Sequence, residues 1–271
     1  MSQIEARNIW QVYQSQIVLE GLNVDIEAGE FCTLVGASGC GKSTFLRLLL
    51  GQESPSKGSL TFEGAPLPTE PDVDRGVVFQ RYSVFPHLRV IDNVLLGLEL
   101  RTRNPIGRLF GVRKRLAIET AEQMLDNVGL LSHRDKYPAQ LSGGMQQRLA
   151  LAQALSVRPR VLLLDEPFGA LDPGMRADMH ALLVRIWREH GMTVVMVTHD
   201  LKEGFTLGSR LLVFDKTRHD PQAPERYGAA ITYDIPLNKR ETESCALTGL
   251  AITSTLAPER APSSTTHTAI R

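Results

Sequence analysis

Residues 36–44 read GASGCGKST. The stretch satisfies the spacing G-x-x-x-x-G-K-[ST]. It follows an apolar run, 31–35, and precedes a helical one, 42–50, which is the strand–loop–helix setting the motif needs. Gly36, Gly39 and Gly41 permit backbone angles at which successive N–H groups, those of Ala37, Ser38 and Cys40 among them, point inward at phosphate oxygens. The helix beginning at Lys42 adds its N-terminal dipole and unpaired N–H groups, with Ser43 and Thr44 in its first turn. Lys42 has the length to reach β- and γ-phosphates, and Ser43 can place its hydroxyl on Mg²⁺. A nucleotide site alone does not fix the chemistry.

Outward from this loop, residues 1–215 alternate β-like runs with helical stretches. Residues 4–13 and 17–26 read as antiparallel strands. Residues 31–35, 76–79, 161–164 and 193–197 are almost wholly apolar, as strands covered on both faces are in a parallel sheet flanked by helices. Residues 42–50, 173–190 and 200–208 read as helices, and residues 90–157 as a mostly helical insertion. Residues 161–167 read VLLLDEP. Asp165 ends a buried strand, where a parallel sheet presents its ligands; it would hold Mg²⁺ through water or Ser43. Glu166 would face the γ-phosphate and orient or deprotonate the attacking water. The alternative for two adjacent acids is a helix N-cap region. His199, after the apolar run 193–197, can donate a hydrogen bond to the γ-phosphate; the alternative is a structural histidine. His87, His133, His180 and His190 lack that setting and read as structural.

Residues 141–148 read LSGGMQQR. With GASGCGKST and VLLLDEP in this order, residues 3–215 resemble the ATP-binding cassette ATPases, the nucleotide-binding subunits of ABC transporters. The resemblance implies an α/β fold: a P-loop NTPase (RecA-like) core with an antiparallel β subdomain and a helical signature subdomain at about 90–157. It implies ATP and Mg²⁺ as ligands. By matching positions, Tyr13 corresponds to the aromatic that stacks on adenine, with Trp10 nearby. Gln80 matches the glutamine that touches Mg²⁺ and the attacking water. Ser142, Gly143 and Gly144 match the signature residues, which close over the ATP of the other subunit in a head-to-tail homodimer. Asp172 matches the loop that couples the two sites, and His199 the switch histidine. Met145 departs from the glutamine many members carry. Serine and free N–H groups at the start of a helical run, 145–156, make an anion site on physical grounds alone.

The same resemblance implies separate integral-membrane permease subunits, an extracytoplasmic solute-binding protein, and a peripheral location on the cytoplasmic face of the cell (inner) membrane. Tyr82, Val84, Phe85 and Leu88 around Pro86 match the region bordering a groove for the permease. The motif wording is most similar to the nitrate/sulfonate/taurine import branch, and the stretch RYGAAITYDIP to relatives handling urea-like nitrogen compounds. Export or lipid release is the alternative. A soluble cassette acting on DNA or ribosomes would carry two cassettes, a coiled coil or basic patches.

Composition bounds these readings. The 271 residues carry 30 Lys+Arg and 30 Asp+Glu, a formal net charge of zero, which argues against a nucleic-acid partner. With 42% hydrophobic and 22% charged residues there is material for a substantial core. No apolar run reaches the roughly 18 residues that would span a bilayer. The opening MSQIEARNIW has no apolar core of the kind a signal peptide needs. Cys32, Cys40 and Cys245, without C-x-x-C spacing, suggest a reduced compartment. Residues 101–115 read as a solvated basic segment. Residues 216–271 read as a C-terminal extension, rich in Pro and charge at first and loosely ordered over the last ~30 residues.

Overall fold

Alternating inward residues such as Ile4, Ala6 and Ile9 give the chain its first sheet. In the computed structural model, β1 (Ser2–Tyr13) pairs antiparallel with β2 (Gln16–Glu27). After β3 (Phe31–Gly36) and α1 (Lys42–Leu50), β4 (Lys57–Phe62) joins the other edge of β1 and β5 (Ala65–Pro66) joins β4. The structure describes residues 2–79, 84–101, 111–169, 171–218, 220, 222–223 and 225–237.

The second sheet has the order β10-β9-β3-β8-β7-β6, built from β3, β6 (Arg75–Val78), β7 (Val161–Asp165), β8 (Thr193–Val197), β9 (Arg210–Asp215) and β10 (Ala230–Pro236). Every neighbouring pair is parallel except β9–β10. The near-continuous apolar runs are explained by two cores, one on each face. Val161, Leu163, Val195 and Val197 pack with Phe45, Leu48 and Leu49 of α1 and with Ile4, Ala6 and Ile9 of the antiparallel sheet. Leu162, Leu164, Val194 and Met196 face the opposite way, into a core built with α2 (Val90–Arg101), α3 (Gly111–Asn127), α4 (Gly143–Ser156) and α5 (Pro173–His190). A short helix, α6 (Leu201–Leu207), connects β8 to β9. Within residues 90–157 the described residues form α2, α3 and α4, with two 3-10 turns at Leu131–His133 and Pro138–Gln140 between α3 and α4.

The expected boundary after residue 215 moves. The compact unit runs to Leu237, because β10 adds to the sheet beside β9. Arg210 on β9 holds Asp234 on β10 through Nε and Nη2, both at 2.6 Å. The stretch before β10 is stitched to β2: Ala229 donates to Val18 O at 2.9 Å and Glu20 donates back to Ala229 O at 2.9 Å. β10 escaped the sequence reading because, as an edge strand, it has no wholly apolar run: Asp234 and Pro236 fall within it, and Tyr233 stays exposed. Gln80, Tyr82, most of the basic segment 101–115, Cys245 and residues 238–271 lie outside the described residues. Among those described, no helix is long and apolar enough to cross a membrane.

Candidate nucleotide site

Strand order decides what meets in the site. β3, β8 and β7 are adjacent and parallel, with Leu34 opposite Val197 and Val197 opposite Asp165. Their C-terminal ends therefore present the loop 36–41, His199 and the Asp165–Glu166 pair side by side, the crevice in which open α/β sheets bind ligands.

The loop itself is held from below. Gly36 sits at φ 149°, and a Cβ there would collide with the Phe214 carbonyl of β9. Gly41 sits at φ 88° as the N-cap of α1, where a Cβ would lie 2.7 Å from Leu19 Cδ2. Ala37, Ser38 and Gly39 are exposed at the loop's tip, while Cys40 and Thr44 are buried beneath it. Lys42 is only 6% exposed. Its Nζ donates to the carbonyls of Gly36 at 2.8 Å and Ala37 at 2.9 Å, with Cys40 Sγ at 3.5 Å. The ammonium is thus fixed inside the ring of the loop. A cavity of about 300 Å³ opens over Ser38, Gly39, Lys42, Ser43, Thr44 and Glu166.

On the carboxylate side, Ser43 Oγ donates to Asp165 Oδ1 at 3.0 Å. Burial pushes the Asp165 carboxyl upward in pKa; the Ser43 hydrogen bond opposes this, and the charge of Glu166 adds to it. Glu166 adopts φ 47°, a left-handed backbone uncommon for a residue with a side chain. Its N–H donates to Val197 O at 3.0 Å, which pins that geometry to β8. Its Oε2 lies 3.3 Å from His199 Nδ1. Gly169 flanks both, with a Cβ position 3.8 Å from His199 Cε1 and 4.0 Å from Glu166 Oε2. The structure thus brings together Lys42, Ser43, Asp165, Glu166 and His199.

Tyr13, at the tip of the β1–β2 hairpin, bonds through its hydroxyl to Glu53, which also pairs with Arg47 of α1 at 3.2 Å. Burial raises the pKa of Tyr13, and the bond to Glu53 adds to it. Trp10 has different engagements: its ring lies under Lys57, and its Nε1 donates to Asn8 Oδ1 at 3.0 Å.

Ser142 and Asp172 lie elsewhere. Ser142 is the N-cap of α4 and accepts from Met145 N–H at 3.4 Å. Asp172 is the N-cap of α5 and accepts from Met175 N–H at 3.0 Å. The two caps belong to one surface: a Cβ on Gly144 would meet Met175 Sδ at 2.6 Å and Leu171 Cδ2 at 3.5 Å. Ser142, Gly143 and Asp172 are exposed, Gly144 is buried, and none of the four lines the cavity over Lys42. Sequence reading missed Glu203, a buried acid on α6 that contacts Thr198 just before His199.

A central parallel strand feeding a phosphate loop, with an acid pair at the end of the next strand but one, defines a P-loop nucleoside triphosphatase. The sequence matches the family described as ABC transporter over residues 19–169. The chain belongs to that family and is one of its ATPases. It is 44% identical to the nitrate import ATP-binding protein NrtD of Synechocystis sp. over 73% of this chain and 71% of that one. It is 42% identical to the aliphatic sulfonates import ATP-binding protein SsuB of Yersinia pestis over 88% of this chain and 79% of the relative. The dimeric post-hydrolysis structure of the cassette MJ0796, bound to ADP and Pi, superposes with a TM-score of 0.70 at 27% identity, covering 87% of this chain and 99% of that one.

Proposed function

We propose that this chain is the ATP-hydrolysing subunit of an importer, working as a head-to-tail homodimer on permease subunits that cross the membrane. The observation that carries the reading is the separation just described. Lys42, Ser43 and Glu166 line one cavity, with Asp165 bonded to Ser43 and His199 beside Glu166, while the exposed caps Ser142 and Asp172 do not line it. A cap hydroxyl with free N–H groups beside it is an anion site, and a second copy would bring its own to the first copy's phosphate.

In this reading the N–H groups of residues 37–44 hold the α- and β-phosphates, and Lys42 lies at the β–γ bridge. Tyr13 packs on adenine. Ser43 and Asp165, a hydroxyl and a carboxylate 3.0 Å apart, are hard oxygen donors that suit Mg²⁺, which also keeps waters and phosphate oxygens as ligands. Gln80 joins them by the family pattern. The ion would neutralise charge on the phosphates. Glu166 receives a proton from, or aligns, the attacking water, and His199, 3.3 Å from the same carboxylate, donates to the γ-phosphate. Ser142, Gly143 and Gly144 of one copy close over the ATP of the other, and Asp172 lies at the seam. ATP binds the closed pair more tightly than the open one, and loss of the γ-phosphate removes that difference, so hydrolysis reopens the pair.

The permease contact is supported by a groove of about 220 Å³ lined by Val78, Phe85, Leu96, Leu100 and Val157, with Phe85 and Leu100 exposed at its edge. The relatives' names support uptake of a nitrate- or sulfonate-like solute; the wording of the motifs extends the reading to taurine-like or urea-like nitrogen compounds, and the family pattern adds delivery by an extracytoplasmic binding protein. The complex would place this chain on the cytoplasmic face of the inner membrane. Affinity purification of the tagged chain from detergent-solubilised membranes is expected to bring down a permease and Mg²⁺-dependent ATPase activity, which Lys42→Ala abolishes. Recovery of an exporter-type membrane protein, or ATP turnover unaffected by Lys42→Ala, overturns the proposal.

A further inference from the structure

Behind the Glu166–His199 pair lies a second polar cluster. Glu203 of α6 is only 7% exposed, and Thr198, the residue before His199, 2%. Thr198 Oγ1 donates to Glu203 Oε2 at 2.6 Å and accepts from Asp200 N–H at 3.1 Å. The hydroxyl of Thr198 therefore bridges the two sides of His199. The other oxygen of Glu203 lies 3.2 Å from His180 Nε2 on α5. The His180 ring meets Phe168 edge-on, with centroids 4.7 Å apart. Phe168 follows Glu166 by two residues. Arg176, one turn before His180, approaches Glu203 Oε1 at 3.8 Å and Asp200 Oδ2 at 3.6 Å, and donates to Leu171 O at 3.2 Å. Burial works against ionisation of Glu203, but the bonds from His180 and Thr198 and the charge of Arg176 outweigh it, and its pKa is lowered.

We propose that Glu203 is a positioning residue: with His180 it forms a strut behind the active site that sets the spacing of Glu166 and His199 and ties it to the first turns of α5. The inference rests on the roles given above to Glu166 and His199. The strut reaches both partners of that pair through their neighbours in sequence, Thr198 on one side and Phe168 on the other. Its Arg176 arm ends on the carbonyl of Leu171, next to the exposed Asp172 cap. A displacement of α5 at the seam between two copies is thereby transmitted to the spacing of the reacting groups.

The test is a double-mutant cycle on the full chain, with Glu203→Gln, His199→Ala and the pair, measuring ATPase kcat and KM, nucleotide binding and thermal stability. Glu203→Gln is expected to lower kcat about ten- to a hundredfold, the scale of an ångström-sized misplacement, with KM for ATP changed less than about twofold. In the His199→Ala background it should cause little further loss, since groups acting as a unit are not additive. Thr198→Val, which keeps the side chain's shape and removes the donor, should match Glu203→Gln; Thr198→Ser should restore turnover. Equal losses of kcat in both backgrounds, or a loss accompanied only by a fall in melting temperature, overturns the strut. If His199→Ala alone leaves turnover unchanged, the reading of His199 fails instead.

Discussion

Glu166 holds a left-handed backbone that most residue types avoid, and it does so at the position proposed above to aim a water at the phosphate. Such strain persists only where surrounding structure imposes it, here the bond from Glu166 N–H to β8. The carboxylate is placed rather than merely tethered. Replacing it with the isosteric amide preserves shape and removes basicity. Glu166→Gln is expected to bind ATP normally and to turn it over at least a hundredfold more slowly, the usual scale for a general base. Equilibrium nucleotide binding beside single-turnover hydrolysis checks this, and normal turnover would remove Glu166 from the mechanism. The residue types at this site were legible because each is demanded by chemistry at a fixed spacing: glycines for a tight loop, a lysine for phosphate, acids at a strand end. His180 and Glu203 were not legible. They lie 23 positions apart, and an acid on a short helix reads like any solvated one until the fold brings α6 against α5.

At the scale of elements, the Asp172 cap would carry two duties in the proposed dimer. Asp172 satisfies an N–H of α5 and would also stand on the face proposed for the partner copy. The duties separate by substitution. Asp172→Ala loses the cap and should destabilise by about 1 kcal/mol, a fall of roughly 2–4 °C in a molecule of this size. Asp172→Asn keeps a capping oxygen and should leave the melting temperature within about a degree, yet lower the cooperativity of ATP hydrolysis if the carboxylate couples the sites. Calorimetry alongside ATP-concentration curves distinguishes them; unchanged cooperativity in Asp172→Asn would confine this residue to capping. Elements apolar on both faces, β3, β7 and β8, were readable because burial on two sides leaves no polar alternation. β4, β9 and β10 were not singled out. β4 begins with Lys57, Gly58 and Ser59 and buries only Leu60, a pattern that periodicity alone cannot separate from a loop.

For the whole molecule, the revised boundary makes its own prediction. A chain ended after Asp215 would lack β10, leave the β9 edge unpaired and strip Arg210 of Asp234, leaving it only Glu30 and the Asp25 carbonyl. It should be insoluble or markedly less stable than a chain ended after Leu237, which keeps both sheets whole. Denaturant unfolding of the two truncations decides the matter: equal midpoints would return the boundary to 215.

The stitching of residues 225–229 onto β2 also bears on synthesis. Gly41 rests against Leu19 and Val18, and the backbone of that same stretch is clamped by Ala229. The partners are separated by some two hundred positions, so the clamp forms only after residue 229 has left the ribosome. Domains generally fold as units, and contacts this distant in sequence form slowly. A nascent chain carrying the phosphate loop alone therefore lacks the support beneath it. Until residue 229 has been made, the phosphate loop must take up its shape without that clamp.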